Sequence, residues 1–162
     1  FRLKGAAVES IKFDAEIDCT DQLEFPHENV VATETGIAPQ IATLEALVNP
    51  SMADLLAVDA DARGGTLEIL PPESPLVIFV WSRHRVAPVR VTDFSVTEEA
   101  FDPLLNPIRA KVSLGLRVLT VDDLGYSHRG GTLFLAYLRT RESLAARAPG
   151  ASLQSLGLTG LP

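Results

Sequence analysis

The sequence predicts a mainly β, α+β fold: an antiparallel β-barrel or β-sandwich that carries one to three short helices. Two segments, Ile11–Cys19 and Ile108–Val118, alternate between apolar and polar side chains. This is the two-residue period of a strand with one wet face. A third segment, Leu76–Trp81, is apolar throughout, which is typical of a central strand covered on both faces. The 162 residues are enough for one domain.

The fourth predicted strand, Val86–Val96, changes the parity of its apolar residues at Thr92–Asp93. We interpret that change as a β-bulge, which inserts one residue and resets the alternation. A turn at Ser82–Arg85 precedes this strand, and Thr97–Pro107 is predicted to be a long loop. Thr66–Leu70 is a candidate for a short fifth strand.

Three helical segments are predicted. Apolar residues recur at helical spacing over Ile37–Val48, just before an Asn-Pro stop. Ser51 caps a further short turn. Thr132 caps a helix in which Phe134, Tyr137, Leu138 and Arg141 share one side. We expect one tube-like β domain over residues 1–148 and a flexible C-terminal arm over 149–162. Because Phe1 stands where Met would, we expect the native start to precede it.

The composition excludes several classes of function. A net charge of −7 opposes general binding to nucleic acid, which depends on Lys and Arg. The longest apolar run is too short for a membrane span, and no signal peptide is recognised. The single cysteine, Cys19, rules out an internal disulfide and favours synthesis in the cytoplasm. Residues 1–61 carry a net charge of −9 and residues 62–162 carry +2, which favours head-to-tail attraction between copies.

No catalytic or metal-binding constellation is recognised, so we expect neither enzymatic activity nor a cofactor. Asp59–Asp61 with Gly64 has the start of a calcium loop but not its twelfth-position glutamate, so a solvated turn is predicted. Asp122–Asp123 before a glycine also predicts a turn. The three histidines are assigned to surface or interface positions: His27, His84 and His128.

The predicted loop contains an unusual apolar group. Phe101, Leu104 and Leu105 lie beside two prolines, although loops usually run over the surface. Either the loop folds back as a lid on its own core, or it inserts into a neighbour as an anchor. Prolines restrict the loop in advance and so reduce the entropy lost on docking. Composition alone leaves both alternatives open.

Several motifs occur together in a specific order. They are Glu9–Asp14, Asp18–Glu24, Gly36–Glu45, Pro75–Trp81, Arg85–Val91 and Thr97–Leu114. Over about residues 9 to 120 this combination resembles the contractile injection system tube-protein family, which supplies the baseplate tube adaptor of phage-tail-like particles. The sequence departs from that family in two respects. An opening Phe-x-x-Asn-Pro-type strand is not found, and no LysM module is recognised after residue 120.

The resemblance implies a fold of the phage tail-tube type and a structural role in a sixfold ring. That ring would join the spike or hub protein to the inner tube or tube-initiator protein, and would contact other baseplate or sheath-adaptor proteins. Assembly would take place in the bacterial cytoplasm, in a particle that stays there or is released. On the basis of this resemblance we assign Ile11–Cys19 and Ile108–Val118 to the tube wall, and Thr132–Arg147 to contacts with neighbours. The remaining proposed interface residues are Phe101, Asp102, Leu104, Leu105, Asn106, Arg83, Arg85 and Tyr137.

The alternative function is a stand-alone carbohydrate- or cell-wall-binding β domain. Such a domain needs a concave site lined by exposed aromatic side chains. Apart from seven Phe, the sequence offers only Trp81, Tyr126 and Tyr137. Since Trp81 ends a strand that is predicted to be buried, this alternative ranks second.

Overall fold

The computed structural model describes residues 5–65, 75–148 and 150 as an α+β fold, which confirms the predicted class. One sheet contains the strands β1 (Ser10–Asp18), β2 (Val77–Ser82), β3 (Arg85–Phe101) and β4 (Pro107–Val118). The described residues also form six helices, more than the predicted one to three. They are α1 (Thr20–Leu23), α2 (Val30–Thr35), α3 (Ala38–Glu45), α4 (Met52–Arg63), α5 (Val121–Leu124) and α6 (Arg129–Ala145).

The sheet is antiparallel and open, with the strand order β1-β4-β3-β2. A closed barrel, which the sequence analysis allowed, is therefore wrong for the described residues, because β1 and β2 do not pair with each other. The sheet nevertheless curls strongly. The ring centroids of Phe13 in β1 and Phe79 in β2 are 5.7 Å apart. Three interstrand spacings would separate these edge strands by roughly 14 Å in a flat sheet.

The register gives the sheet two chemically different faces. In the β1–β4 pair, apolar residues oppose apolar residues, with Phe13 opposite Leu114 and Ala15 opposite Val112. The alternate positions bring charge opposite charge, as for Asp18 and Arg109. Helices cover the apolar face, whereas the charged face is open to water.

The covered face holds two hydrophobic cores, one toward each end of the strands. The first core forms where α6 crosses the start of β3. Its buried members are Ile11, Ala87, Val89, Leu116, Val118, Phe134 and Tyr137. The second core forms where α2 and α3 cover the far end of β1 and the start of β4. Its buried members are Cys19, Ala32, Ile37, Ile41 and Ala110.

A glycine elbow attaches α2 and α3 to the start of β4. Gly36 has a φ of 59°, and a side-chain Cβ there would lie 2.0 Å from the Pro107 carbonyl oxygen. The next amide, that of Ile37, donates to the same carbonyl at 2.8 Å. Only glycine permits both this backbone conformation and this close approach.

Two strand assignments need correction. The segment predicted to be central forms β2, an edge strand, in which Ile78 and Val80 are exposed. The predicted loop Thr97–Pro107 is mostly strand, because β3 continues to Phe101. The bulge between Val91 and Asp93 is confirmed, and further register shifts after Glu98 interrupt the alternation on which the prediction relied.

The helices also differ from their predicted extents. The prediction for Ile37–Val48 is met by the shorter α3, and Ser51 caps α4 with a reciprocal capping box to Asp54. The predicted turn at Asp59–Asp61 is wrong, because these residues lie inside α4. Asp122–Asp123 is likewise helical, in α5, where Thr120 forms the capping box. Thr132 is not the N-cap of α6 as predicted, because the helix already begins at Arg129 and His128 is its N-cap.

Two predicted segments, Thr66–Leu70 and nearly all of the arm 149–162, lie outside the described residues. Within those residues, no helix combines the length and the apolar character that crossing a bilayer requires.

The packing of the first core predicts that alanine substitutions at two adjacent positions of α6 differ strongly in their effect on stability. Phe134 is 4% exposed and Leu135 is 42% exposed. We expect Phe134→Ala to lower the free energy of unfolding by about 3–5 kcal/mol, since it removes a buried ring and leaves a cavity. The matched control Leu135→Ala should cost less than about 1 kcal/mol. Urea unfolding followed by circular dichroism measures both, and equal losses would contradict this packing.

Candidate functional site

The charged face of the sheet is a ladder of ion pairs between β1 and β4. Lys111 Nζ lies 2.8 Å from Asp14 Oδ2, and Arg109 Nε lies 2.6 Å from Asp18 Oδ2. Ser113 Oγ donates to the other oxygen of Asp14 at 2.7 Å. All these groups are partly exposed, so each pair adds little to stability. The ladder keeps a wide strand surface polar without leaving it dominated by one sign of charge.

Hydrogen bonds and ion pairs lower the pKa of the ladder carboxylates. The Thr20 hydroxyl, the Thr20 N–H and Arg109 all donate to Asp18 and lower its pKa from 3.8 to about 2. Bonds from Lys111 and Ser113 lower the pKa of Asp14 in the same way. The reciprocal effect of these carboxylates raises the pKa values of Arg109 and Lys111. The ladder therefore stays charged well into the acidic range.

The two outer edges of the sheet differ in character. β1 carries a charged residue at every second position, which discourages unspecific strand pairing. β2 reads Val-Ile-Phe-Val-Trp-Ser and bears no charge, and Val80 is 66% exposed. An uncharged apolar edge strand is a template for pairing with another strand.

Trp81 belongs to an aromatic cluster that joins the two edge strands and that the sequence pattern does not reveal. Its ring stacks on Phe79 with centroids 5.8 Å apart, and meets Phe13 edge-on at 5.9 Å. Trp81 itself is 63% exposed, so the expectation that this strand end is buried is wrong. The apolar run predicts a central strand, and only the sheet order reveals that it lies at the edge.

The turn between β3 and β4 holds four of the proposed interface residues in a hydrogen-bonded tip, and a fifth, Phe101, is the last residue of β3. Asp102 Oδ1 accepts from the amides of Leu104 and Asn106, each at 2.8 Å. Asn106 Nδ2 donates to Asp102 Oδ2 at 2.8 Å and to the Glu34 carbonyl at 3.1 Å. Hydrogen bonds from Asn106 and Leu104 also lower the pKa of Asp102. The tip is held firmly against α2.

This tip presents leucines to solvent. Leu104 is 80% exposed, and Leu105 is 77% exposed with a φ of 66°. A left-handed conformation is unfavourable for any residue with a Cβ, and a bulky residue there is a true outlier. Of the two alternatives from the sequence, the side-chain exposure excludes the lid over the chain's own core. The tip is available to act as an anchor.

The other three proposed interface residues lie at the opposite end of β3 and behave differently. Arg83 and Arg85 are exposed at the β2–β3 turn. Tyr137 is buried, because its ring lies in the first core and its hydroxyl donates to Glu9 Oε1 at 2.8 Å. Burial raises the pKa of Tyr137 above its ordinary value. The side chain of Tyr137 is therefore part of the first core and not of the exposed surface.

The sulfur and imidazole groups form no constellation among the described residues, where no group of three His, Cys, Asp or Glu side chains is placed to hold a metal. Cys19 is buried in the second core, and burial raises the pKa of its thiol. His128 Nδ1 accepts from the Gly130 amide at 3.0 Å as a helix cap. His27 and His84 are exposed.

An open groove of about 800 Å³ lies on the covered side of the sheet. Its walls are mostly aliphatic, with Val48, Leu76 and Val91 among them, and it contains no aromatic side chain. The groove therefore lacks the aromatic lining that a carbohydrate site would need.

Comparisons of the chain with protein-family models, with curated proteins and with solved structures find no match.

The lowered pKa of Asp18 predicts part of the acid sensitivity of the fold. Because the folded-state pKa of about 2 is below the ordinary 3.8, the contribution of Asp18 is complete above that ordinary value. It is lost as the pH falls through about 2. We expect Asp18→Asn to flatten the decrease in unfolding free energy over this range, as measured by urea titration at several pH values. Asp61→Asn, at an exposed site on α4, is the control and should leave the slope unchanged.

The positive φ of Leu105 predicts that replacement by glycine stabilises the chain. We expect Leu105→Gly to raise the free energy of unfolding by about 1 kcal/mol, because glycine adopts the left-handed region without steric cost. Leu104→Gly is the matched control at a neighbouring exposed position with ordinary φ, and should be neutral or destabilising by a similar amount. Chemical denaturation decides between these outcomes, and a destabilised Leu105→Gly would refute the strain argument.

Proposed function

We propose that this chain is a structural component of a bacterial contractile injection system, a ring-forming adaptor that joins the spike or hub to the inner tube. The observation that carries the proposal is the construction of the sheet. It has one charged face open to water, one face covered by helices, and two strand edges without a partner in the described part of the chain. The family resemblance supplies the sixfold order and the baseplate location.

The unpaired edges favour a ring. Each edge strand leaves backbone N–H and C=O groups without a strand partner, and closing a ring of subunits removes such edges. In the proposed ring, β2 of one copy lies against β1 of the next, which is a head-to-tail contact that repeats until the ring closes. The uncharged edge of β2 and the charged edge of β1 are different surfaces, so this contact is directional.

The ladder of ion pairs suits a wall that borders a water-filled passage. Its charges alternate in sign across β1 and β4, so a passing chain meets no strong field of one sign. The helices would then face outward, toward other baseplate or sheath-adaptor proteins. In this proposal the chain has no catalytic role and assembles in the cytoplasm of the producing cell.

The experiment that tests the function is capture of a tagged chain from the producing bacterium, followed by electron microscopy. We expect phage-tail-like particles that carry the tag at a sixfold collar near the spike. Intact particles that lack the chain, or a chain recovered only as a monomer, would contradict the proposal. In that second case the exposed Trp81 favours the alternative function of carbohydrate binding. A shift in tryptophan fluorescence on adding cell-wall glycan would support that alternative.

The edge of β2 predicts a single-residue disruption of the ring. We expect Val80→Lys to reduce ring formation at least about tenfold, because a lysine on an edge strand opposes strand pairing. Native mass spectrometry of the chain with the hub and inner-tube proteins of the same particle measures the sixfold species. Leu56→Lys, at an exposed position of α4 that belongs to neither strand edge, is the control and should assemble normally. A ring that forms equally well with Val80→Lys would exclude β2 from the contact.

A further inference from the structure

The charged residues of β3 and its flanking turns separate by sign toward the two ends of the strand. β3 is 17 residues long, and the β2–β3 turn lies at its start while the β3–β4 turn lies at its end. At about 3.3 Å per residue the two turns are separated by several tens of ångströms. Residues 82–91 contain no Asp or Glu, whereas residues 92–106 contain no Lys or Arg.

The start of β3 forms a basic end. There the β2–β3 turn meets the C-terminal half of α6 around a small cavity of about 250 Å³. The basic residues of this end are Arg83, His84, Arg85, Arg139 and Arg147. None of them forms an ion pair within the described residues, and Glu142 is the only carboxylate in α6. Trp81 and Leu144 add exposed apolar surface to the same end.

The end of β3 forms an acidic end. Residues 18–34, which follow β1 here, also contain no Lys or Arg. The bond from Asn106 to the Glu34 carbonyl ties this segment to the β3–β4 turn. Six acidic residues here form no ion pair with any other described residue: Asp21, Glu24, Glu28, Glu34, Glu98 and Glu99. The cation at this end, Arg109, is already engaged by Asp18 and Glu16. The exposed tip leucines lie in the middle of these acids.

We propose that the acidic end of one copy of this chain binds the basic end of a second copy. Each end has an exposed apolar centre inside a charged rim, and the two rims have opposite sign. Interfaces of this kind gain affinity from the aromatic and aliphatic anchors, while the charged rim selects the partner and its orientation. The contact is head-to-tail, so it can repeat along the strand direction.

This contact goes beyond the proposed ring, because it uses the ends of the strands and the ring uses their edges. The net charge of −7 opposes association at long range. At physiological salt the Debye length is about 8 Å, so the local match between the two ends outweighs the distant repulsion. A second copy is the occupant that the charge pattern favours, since each end supplies the complement of the other.

Sedimentation velocity of the full chain tests the proposal with two charge-reversed variants. Arg83→Glu with Arg85→Glu cancels the positive charge of the basic end against the remaining Arg139 and Arg147, and Glu98→Lys with Glu99→Lys removes most of the negative charge of the acidic end. The wild type should associate in a concentration-dependent way at about 0.1 M salt, and about tenfold more weakly at about 1 M. Each variant alone should associate at least about tenfold more weakly than the wild type, because one of its two ends has lost its charge. Their equimolar mixture should associate more strongly, because the unaltered acidic end of the arginine variant meets the unaltered basic end of the glutamate variant.

The matched control reverses Lys12 and Arg90, which are exposed on the open face of the sheet, to Glu. It changes the net charge as much as the arginine variant but should associate like the wild type. Circular dichroism checks that each variant is folded. A monomeric wild type, variants that associate alone as strongly as the wild type, or a mixture that associates no better than the variants alone would each overturn the proposal. Normal end contacts in Val80→Lys, with its ring lost, would show that the edge contact and the end contact are independent.

Discussion

The antiparallel register of β4 with its two neighbours is the constraint on which the rest of the structure depends. Because side chains alternate across a strand, this one alignment sends Val112 and Leu116 to the core and Lys111 and Arg109 to water. A slip of one residue would bury the ladder charges and expose the core. The exposed ion pairs contribute little stability themselves, yet they match only in the observed register. Core and ladder therefore specify the same pairing from opposite faces.

This arrangement also determines which apolar surfaces the helices leave uncovered. The strands are longer than any single helix covers, so α6 buries one end of the apolar face and α2 with α3 bury the other. The edge of β2 and the tip at Leu104 and Leu105 are left exposed and apolar. Exposed apolar edges and patches are uncommon on a protein that acts alone, because they invite uncontrolled association. They become intelligible if another surface covers them during assembly.

The sequence predicts a strand and its bounds well wherever the alternation of apolar and polar residues is uninterrupted. β1 and β4 alternate without interruption, and both were predicted within two residues of their observed ends. β3 was cut short because bulges near Thr92 and after Glu98 shift the parity, so its last residues resembled a loop. The apolar run of β2 could not show whether it is buried or exposed, since that depends on sheet order. Of the proposed interface residues, Phe101, Leu104, Leu105 and the two arginines are exposed, whereas Asp102 and Asn106 are half-buried. Tyr137 is predicted to lie at an interface but lies in the core, because helical spacing alone does not distinguish a side that packs in the core from a side that meets a partner.

The backbone of the turn gives the clearest indication that its apolar tip acts outside the chain. Leu105 has a conformation that glycine would adopt without cost, and its side chain packs against almost nothing within the chain. A leucine there adds strain and exposes apolar surface, two effects that both oppose the stability of the isolated fold. Neither is offset by a contact in the described structure. The compensating interaction is therefore expected from a partner surface, and the rigid support from Asp102 and Asn106 holds the leucine in advance for that contact.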